Sequence, residues 1–480
     1  MAEADNSTAP RLLADGELRD LRDNIDDVFL IGNGIVVVLM QAGFTCLEAG
    51  SVRSKNVTNI VLKNVLDMFI SGVLYWLVGF ALAFGSGAGP LGSFFGGSLW
   101  AGVGVGGPGQ PRMSKWFFQF TFAATAATII SGAVAERCRF VTYLCYSATI
   151  SGLVYPTVSH WAWHPDGWLS ALGFRDFAGS GVVHLLGGAC ALAGCVFLGP
   201  RRGRFVGGEV QDLAGHSTPL TGVGALILAA GFLGFNGGSQ GSITAPGDGV
   251  AVSTAVVNTV LSGAGGALCG LFAVRVGALS SPAWGFAVPT NAMLAGMVSV
   301  CGAVNSLAMW AAVLTGVVGA VFFLALHSLL LRLQVDDPLD AAPVHLGAGL
   351  WGLFAGPLLS PDGVLHAVTK ESLMYLACNA AGALAILVWS LCCSAVMFTI
   401  LRVSGLLRVS EDEELKGLDV SVHKEPGYPA SAWLDSGLPG LGLGLGLHAP
   451  NANQGAPPPH KFNRQDRPPG TPLHRFTERL

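Results

Sequence analysis

Asp176-Phe-Ala-Gly-Ser-Gly-Val-Val-His184 and Asp337-Pro-Leu-Asp-Ala-Ala-Pro-Val-His345 share one arrangement: an aspartate followed eight residues later by a histidine. Each opens a long apolar stretch. Ionisable groups inside such stretches are costly and are functional candidates by default. A carboxylate at the front of a helix can accept from its exposed N–H groups and favour its dipole. Eight helical residues rise about 12 Å, which puts each histidine near the middle of a membrane. A lone histidine of this kind could simply bond a backbone carbonyl. A matched pair points instead to two imidazoles facing each other, one donating and one accepting, so that a proton can be shared.

Outward from these two segments the chain reads as an all-α polytopic membrane protein. Of its 480 residues 51% are hydrophobic and 12% charged. Residues 1–27 hold 11 of the 56 charged side chains and residues 402–480 hold 18, so 27 are left for the 374 residues between. That density is about half that of a soluble domain, which excludes a soluble enzyme and a disordered scaffold. A net charge of −4 excludes a strongly basic partner surface and a nucleic-acid partner. Gly is 67 of 480 and suits helices packed closely in a lipid bilayer. The ten cysteines lack metal-ligand spacing, so neither a metal nor another cofactor is expected.

A spanning helix needs about 20 mostly apolar residues. Eleven stretches qualify: 28–51, 60–84, 113–135, 140–162, 176–199, 217–236, 250–274, 284–302, 304–331, 343–360 and 373–401. The Gly-rich segment 85–112 reads as a long loop. Connections after odd-numbered spans carry Arg53, Lys55, Lys63, Arg137, Arg139, Arg201, Arg202, Arg204, Arg275, Arg332, Arg402 and Arg408. The others carry Arg112, Lys115, Arg175 and Lys370. That bias predicts an extracellular N-terminus and a cytoplasmic C-terminus. The two Asp-to-His segments fall in spans five and ten with opposite orientation. This predicts inverted halves, spans 1–5 and 6–10, plus an eleventh helix. The domain reading is 1–27 extracellular, 28–401 transmembrane and 402–480 a cytoplasmic tail. The tail should be disordered beyond about residue 430, where Gly and Pro dominate. No secretory signal peptide precedes the first span, which would serve as its own insertion signal. Asn6-Ser7-Thr8 is a glycosylation sequon on the expected outer side; Asn56-Val57-Thr58 lies on the inner side and should stay bare.

Six segments resemble the ammonium transporter family (Amt/Mep/Rh), especially its plant-type branch. They are GFTCLEAGSVRSKNVTNIVLKNVLD at 43–67, SGAVAERCRF at 131–140, SHWAWHPDGW at 159–168, DFAGSGVVH at 176–184, GFNGGS at 234–239 and VDDPLDAAPVH at 335–345. The resemblance implies a homotrimer in the plasma membrane with a pore through each subunit. It implies that Trp163 and Ser239 hold ammonium in an outer vestibule, with Asp176 shaping that site. It makes Phe122 and Phe235 a stacked phenyl gate, and His184 and His345 the twin pore histidines. Taken alone, Trp163 could equally be an interfacial anchor, and the two phenylalanines could be helix packing. An indole face attracts a small cation, and a hydroxyl accepts its hydrogen bond. Phenyl rings exclude water and make passage as an ion costly, so the expected cargo past the gate is ammonia, with the proton relayed by imidazoles. Two positions depart from the family pattern: Leu346 after the second histidine, and Phe232 three residues before Phe235.

Gly417-Leu-Asp-Val-Ser421-Val-His423 resembles the plant-type regulatory tail, which has Thr at the Ser421 position. The resemblance implies a tail that touches a neighbouring subunit and a phosphosite at Ser421 for a protein kinase. A phosphate there would add about −2 charge beside Glu411-Asp412-Glu413-Glu414. Two other functions stay open: an ammonium sensor signalling through its tail, and an electroneutral gas channel of the Rh type. Methylammonium is the natural substrate analogue for separating them.

Overall fold

The computed structural model describes residues 15–429, apart from Ala88, Ser280, Ser281 and Ala283. The sequon at Asn6 and the tail beyond residue 430 lie outside the described residues. The chain is mostly helical. In order, α1 is Asp15–Ser51, α2 Val57–Leu74, α3 Phe80–Phe84, α4 Met113–Ala133, α5 Phe140–Thr149, α6 Tyr155–Trp163 and α7 Trp168–Leu172. Then come α8 Leu186–Leu198, a hairpin of β1 Phe205–Val206 and β2 Glu209–Val210, α9 Thr218–Gly238, α10 Asp248–Arg275 and α11 Ala287–Val300. Last are α12 Met309–Arg332, α13 Ala348–Leu359, α14 Lys370–Val403 and α15 Glu411–Lys416. One-turn π-helical segments continue several of these, at Tyr75–Gly79, Ile150–Val154, Ser180–Leu185 and Ala342–Gly347.

Among the described residues, eight helical runs are long and apolar enough to cross a membrane by length and composition. They match the expected stretches at 28–51, 60–84, 176–199, 217–236, 250–274, 304–331, 343–360 and 373–401. The other three expected stretches are helical but less apolar or shorter. In α4 every residue from Thr121 to Ala133 is buried in protein, so it need not be lipid-like. Its hydroxyls bond back along the helix, as Thr125 Oγ1 does to the Thr121 carbonyl at 2.9 Å. In α11, Leu294–Val300 is buried without interruption.

Small residues let the helices touch backbone to backbone, as expected where lipid gives no hydrophobic drive. A Cβ added at Gly43 of α1 would lie 2.9 Å from the Leu228 backbone nitrogen of α9. The ends of α1, α4 and α8 are fastened by a buried ion cluster. Arg201 forks onto Asp336, Nε to Oδ2 at 2.8 Å and an Nη to Oδ1 at 3.0 Å, and reaches Glu136 at 3.4 Å. Arg53 pairs with the same Glu136 at 2.5 Å, and Arg137, fully buried, donates to the carbonyls of Ala133, Ala135, Gly199 and Asp336. Most of the cations used above to predict orientation at this end are thus also the cement of its loops.

Two expectations need correction. Lys63 is not in a connection: it is buried inside α2, its ammonium 4.5 Å from the centre of the Tyr143 ring. It drops out of the orientation count, which keeps its sign. Nor does helix begin at the two aspartates. It begins at Ser180 and Ala342, because Gly179 (φ +101°) and Asp340 (φ +58°) turn the chain first. Each histidine therefore sits in the first π-helical turn of its helix, not two turns in.

Candidate functional site

A single column of rings runs through the molecule. Trp163 closes α6, and its indole Nε1 donates to the Asp176 carbonyl oxygen at 2.7 Å. Phe122 of α4 meets that indole edge-on, with ring centres 6.0 Å apart. Phe122 then stacks flat on Phe235 of α9, centres 4.0 Å apart and planes 12° apart. Phe235 lies 5.5 Å from the His184 ring. His184 faces His345, centres 5.2 Å apart and planes 14° apart, with the two Nδ1 atoms 3.2 Å from each other. Two nitrogens at that distance bond only if one donates and the other accepts, so the pair holds opposite tautomers. The structure brings the two phenyl rings together and the two imidazoles together.

The two aspartates do the same local work. Asp176 accepts from the backbone N–H groups of Gly179, Gly181 and Val182 at 3.0, 2.8 and 2.9 Å. Asp337 accepts from Ala342 N–H at 2.7 Å. Each carboxylate meets the N–H five residues on, where the helix opens, and so sets how its histidine enters the interior. Ser180 completes the first anchor: its hydroxyl donates to the Val298 carbonyl and accepts from Gly302 N–H, both at 2.8 Å.

Above the phenyl pair lies a cavity of about 420 Å³ lined by Phe122, Trp163, Phe177, Gln119, Lys115 and Ser239, among others. The Ser239 hydroxyl donates to the Phe235 carbonyl at 2.8 Å, which leaves its oxygen lone pairs for a donor in the cavity. A second cavity of about 530 Å³ shares the Trp163 and Phe177 walls and reaches Asp176. On the far side of the histidines, His345 and Glu48 line a small cavity of about 30 Å³, large enough to admit water.

Several of these residues escaped the sequence reading. Phe177 lines both upper cavities, yet it sits one residue after Asp176 in the quoted motif. Phe232, noted as a departure, packs 5.6 Å from the His184 ring and so borders the histidine pair. A buried polar network flanks the column as well. Ser131 donates to Glu48 at 2.6 Å, Asn64 donates to Glu48 at 3.1 Å, and Tyr143 donates to Asp67 at 2.9 Å. Glu48, Lys63 and Asp67 were visible as ionisable residues in apolar surroundings, but without the doubled spacing that singled out the histidines.

The segment after α14 returns to the ion cluster. Glu414 accepts from Arg408 at 2.8 Å and from Arg202 N–H at 2.7 Å, while Lys55 donates to the Glu414 and Leu415 carbonyls. Asp419 accepts from Asn59 N–H at 2.9 Å, and burial pushes its carboxyl up against that bond. Asn56 accepts from Leu418 N–H and is 1% exposed, so the second sequon has no room for a glycan. Ser421 is half-exposed, and its hydroxyl donates to the Gly417 carbonyl at 2.7 Å.

The Ammonium Transporter Family pattern matches residues 28–428. This chain belongs to the ammonium transporter family. It is 41% identical to the putative ammonium transporter 1 of Caenorhabditis elegans, over 86% of this chain and 80% of that one. It is 37% identical to ammonium transporter 1 member 1 of Arabidopsis thaliana, over 87% of this chain and 89% of the other. Among solved structures, a sensor Amt protein superposes with a TM-score of 0.78 at 31% identity, covering 84% of this chain and 99% of that one. Mep2 of Candida albicans superposes at 0.72 with 26% identity, covering 82% and 88%. As a family member the protein is an ammonium transporter in kind, multi-pass and helical.

Proposed function

We propose that the protein moves ammonium across a membrane by stripping its proton at the phenyl gate. Trp163 and Ser239 recruit the cation in the upper cavity, and Asp176 shapes that site without touching it. Phe122 and Phe235 exclude water, so entry as an ion costs more than entry as ammonia. Ammonia passes the two imidazoles, and His184 and His345 carry the proton between their Nδ1 atoms. The observation that carries this reading is the unbroken sequence of indole, stacked phenyls and paired imidazoles. In the same reading eleven helices span the bilayer as inverted halves plus one, with the N-terminus outside. Residues 1–27 are extracellular, 28–401 form the transmembrane domain, and 402–480 form a cytoplasmic tail. The assembly is a homotrimer in the plasma membrane.

The test is methylammonium uptake with simultaneous current in a transport-deficient cell. Uptake with a matching inward current supports the proposal. Uptake with no current supports a neutral gas channel instead. The likeness to a sensor Amt protein favours a second reading, ammonium binding with signalling through the tail. Binding of methylammonium to purified protein with neither uptake nor current would select it.

The tail is read as a latch. Ser421 sits two residues after Asp419 and four after Gly417, within the bonded segment. A kinase that adds about −2 charge there sets it against Glu413, Glu414 and Asp419. Ser421→Asp is expected to cut uptake by half or more without changing surface abundance. Transport equal to the parent would mean the tail is a fixed strut.

A further inference from the structure

A cavity that recruits a cation would be expected to carry negative charge or none. Among the described residues lining the upper cavity, the one charged side chain is a lysine, Lys115. It sits in the first turn of α4, half-buried, with its ammonium 4.5 Å from the centre of the Phe84 ring. The aromatic face holds it as it would hold a free alkylammonium. No carboxylate pairs with it among the described residues. The acidic side chains of α1 that reach the start of α4 are engaged by neighbours of Lys115: Arg112 pairs with Asp23 at 2.8 Å and with Asp27 at 3.1 Å, and Ser114 donates to Asp27. Among the described residues the positive charge therefore has no ion-pair partner, and its side chain lines the same space as Trp163 and Ser239.

We propose that Lys115 is a specificity-determining residue that lowers the affinity of the vestibule for cations. The inference rests on the transport reading above and extends it to how the site is tuned. Lys115 raises the ammonium concentration needed for half-saturation by repelling the arriving charge. It does not touch the gate or the histidines, so the maximal rate is set elsewhere. A cavity of about 420 Å³ is about 9 Å across. Two unit charges that far apart, in surroundings between protein surface and water, shift a binding constant by about 2- to 20-fold.

The experiment compares the parent with Lys115→Gln, which keeps a long polar side chain without the charge, and Lys115→Arg, which keeps the charge. Methylammonium is the probe, read both as uptake and as equilibrium binding to purified protein. In K115Q the half-saturating concentration is expected to fall about 2- to 20-fold while the maximal rate stays within about twofold. K115R should stay near the parent. A second measurement needs no variant. Raising sodium chloride at matched osmolarity should lower the parent's half-saturating concentration by screening the lysine, and should do so less in K115Q. Unchanged or weaker binding in K115Q, or a parent indifferent to salt or weakened by it, overturns the role of Lys115. A binding shift in K115Q with no uptake by any form keeps that role and overturns the transport reading.

Discussion

With His184 and His345 both replaced by alanine, ammonium-driven current is expected to fall by about two orders of magnitude. That is the size of effect usual when a positioned proton carrier is removed. The two Nδ1 atoms, 3.2 Å apart, form the polar link in a passage otherwise bordered by Phe232 and Phe235. Without them the first proton acceptors beyond the phenyl pair are gone. The single change His184→Ala should be nearly as damaging, because it leaves the His345 Nδ1 buried without a partner. Recording current and labelled methylammonium uptake on the same cells separates two failures. Loss of current with retained uptake means ammonia still passes and the proton does not. Full parental current in the double variant would remove the histidines from the mechanism.

The second large effect falls on stability. Arg201→Ala is expected to destabilise the protein by about 3–5 kcal/mol, since it leaves the buried carboxylates of Asp336 and Glu136 short of their main cation. Both carboxylates are wholly buried, and Arg204 at 3.4 Å and Arg53 at 2.5 Å compensate them only in part. Arg201→Lys should cost less, keeping the charge but losing the two-pronged bond to Asp336. Thermal unfolding in detergent reads this directly, and an R201A protein that unfolds with the parent would show that the cluster is not structural cement.

The same cluster fixes a pH dependence. Burial by itself would raise both carboxyls. Together the surrounding guanidiniums outweigh it, Arg201 with Arg53 at Glu136 and Arg201 with Arg137 at Asp336, and hold both below the usual carboxylate range. A depressed folded value means stability that is complete above the unfolded value, about 4, and is lost as pH falls through the folded one. The parent should hold its melting temperature from neutral pH down to about 4 and lose it below that. In R201A the depression shrinks, so the acid-side loss should be smaller and be complete at a higher pH.

Most of the architecture could be read from composition, because a bilayer leaves few choices. Long apolar stretches must become helices, since lipid offers their backbone groups no partner. The doubled Asp-to-His spacing then singled out two side chains whose cost in that setting demands a use. Lys63 was misread because its neighbours looked like a loop boundary. Burial against Tyr143 is a long-range fact that no window around residue 63 contains. Lys115 looked like an ordinary charge in a connection, and its meaning comes from sharing a cavity with Trp163 and Ser239, 48 and 124 positions away.

The linear order of residues was enough for the long apolar helices, which follow from local hydropathy; the doubled spacing marked the two histidines, whereas Trp163, Phe122 and Phe235 stood out only through the family resemblance. Folding supplied what distance along the chain conceals. Rings from α4, α6 and α9 are stacked into one column, two histidines 161 positions apart come to 3.2 Å, and one lysine lies over a phenyl ring with no ion-pair partner among the described residues. The reason is that hydropathy is a property of each segment, whereas contact, charge balance and enclosed volume belong to pairs of segments and arise only when they pack.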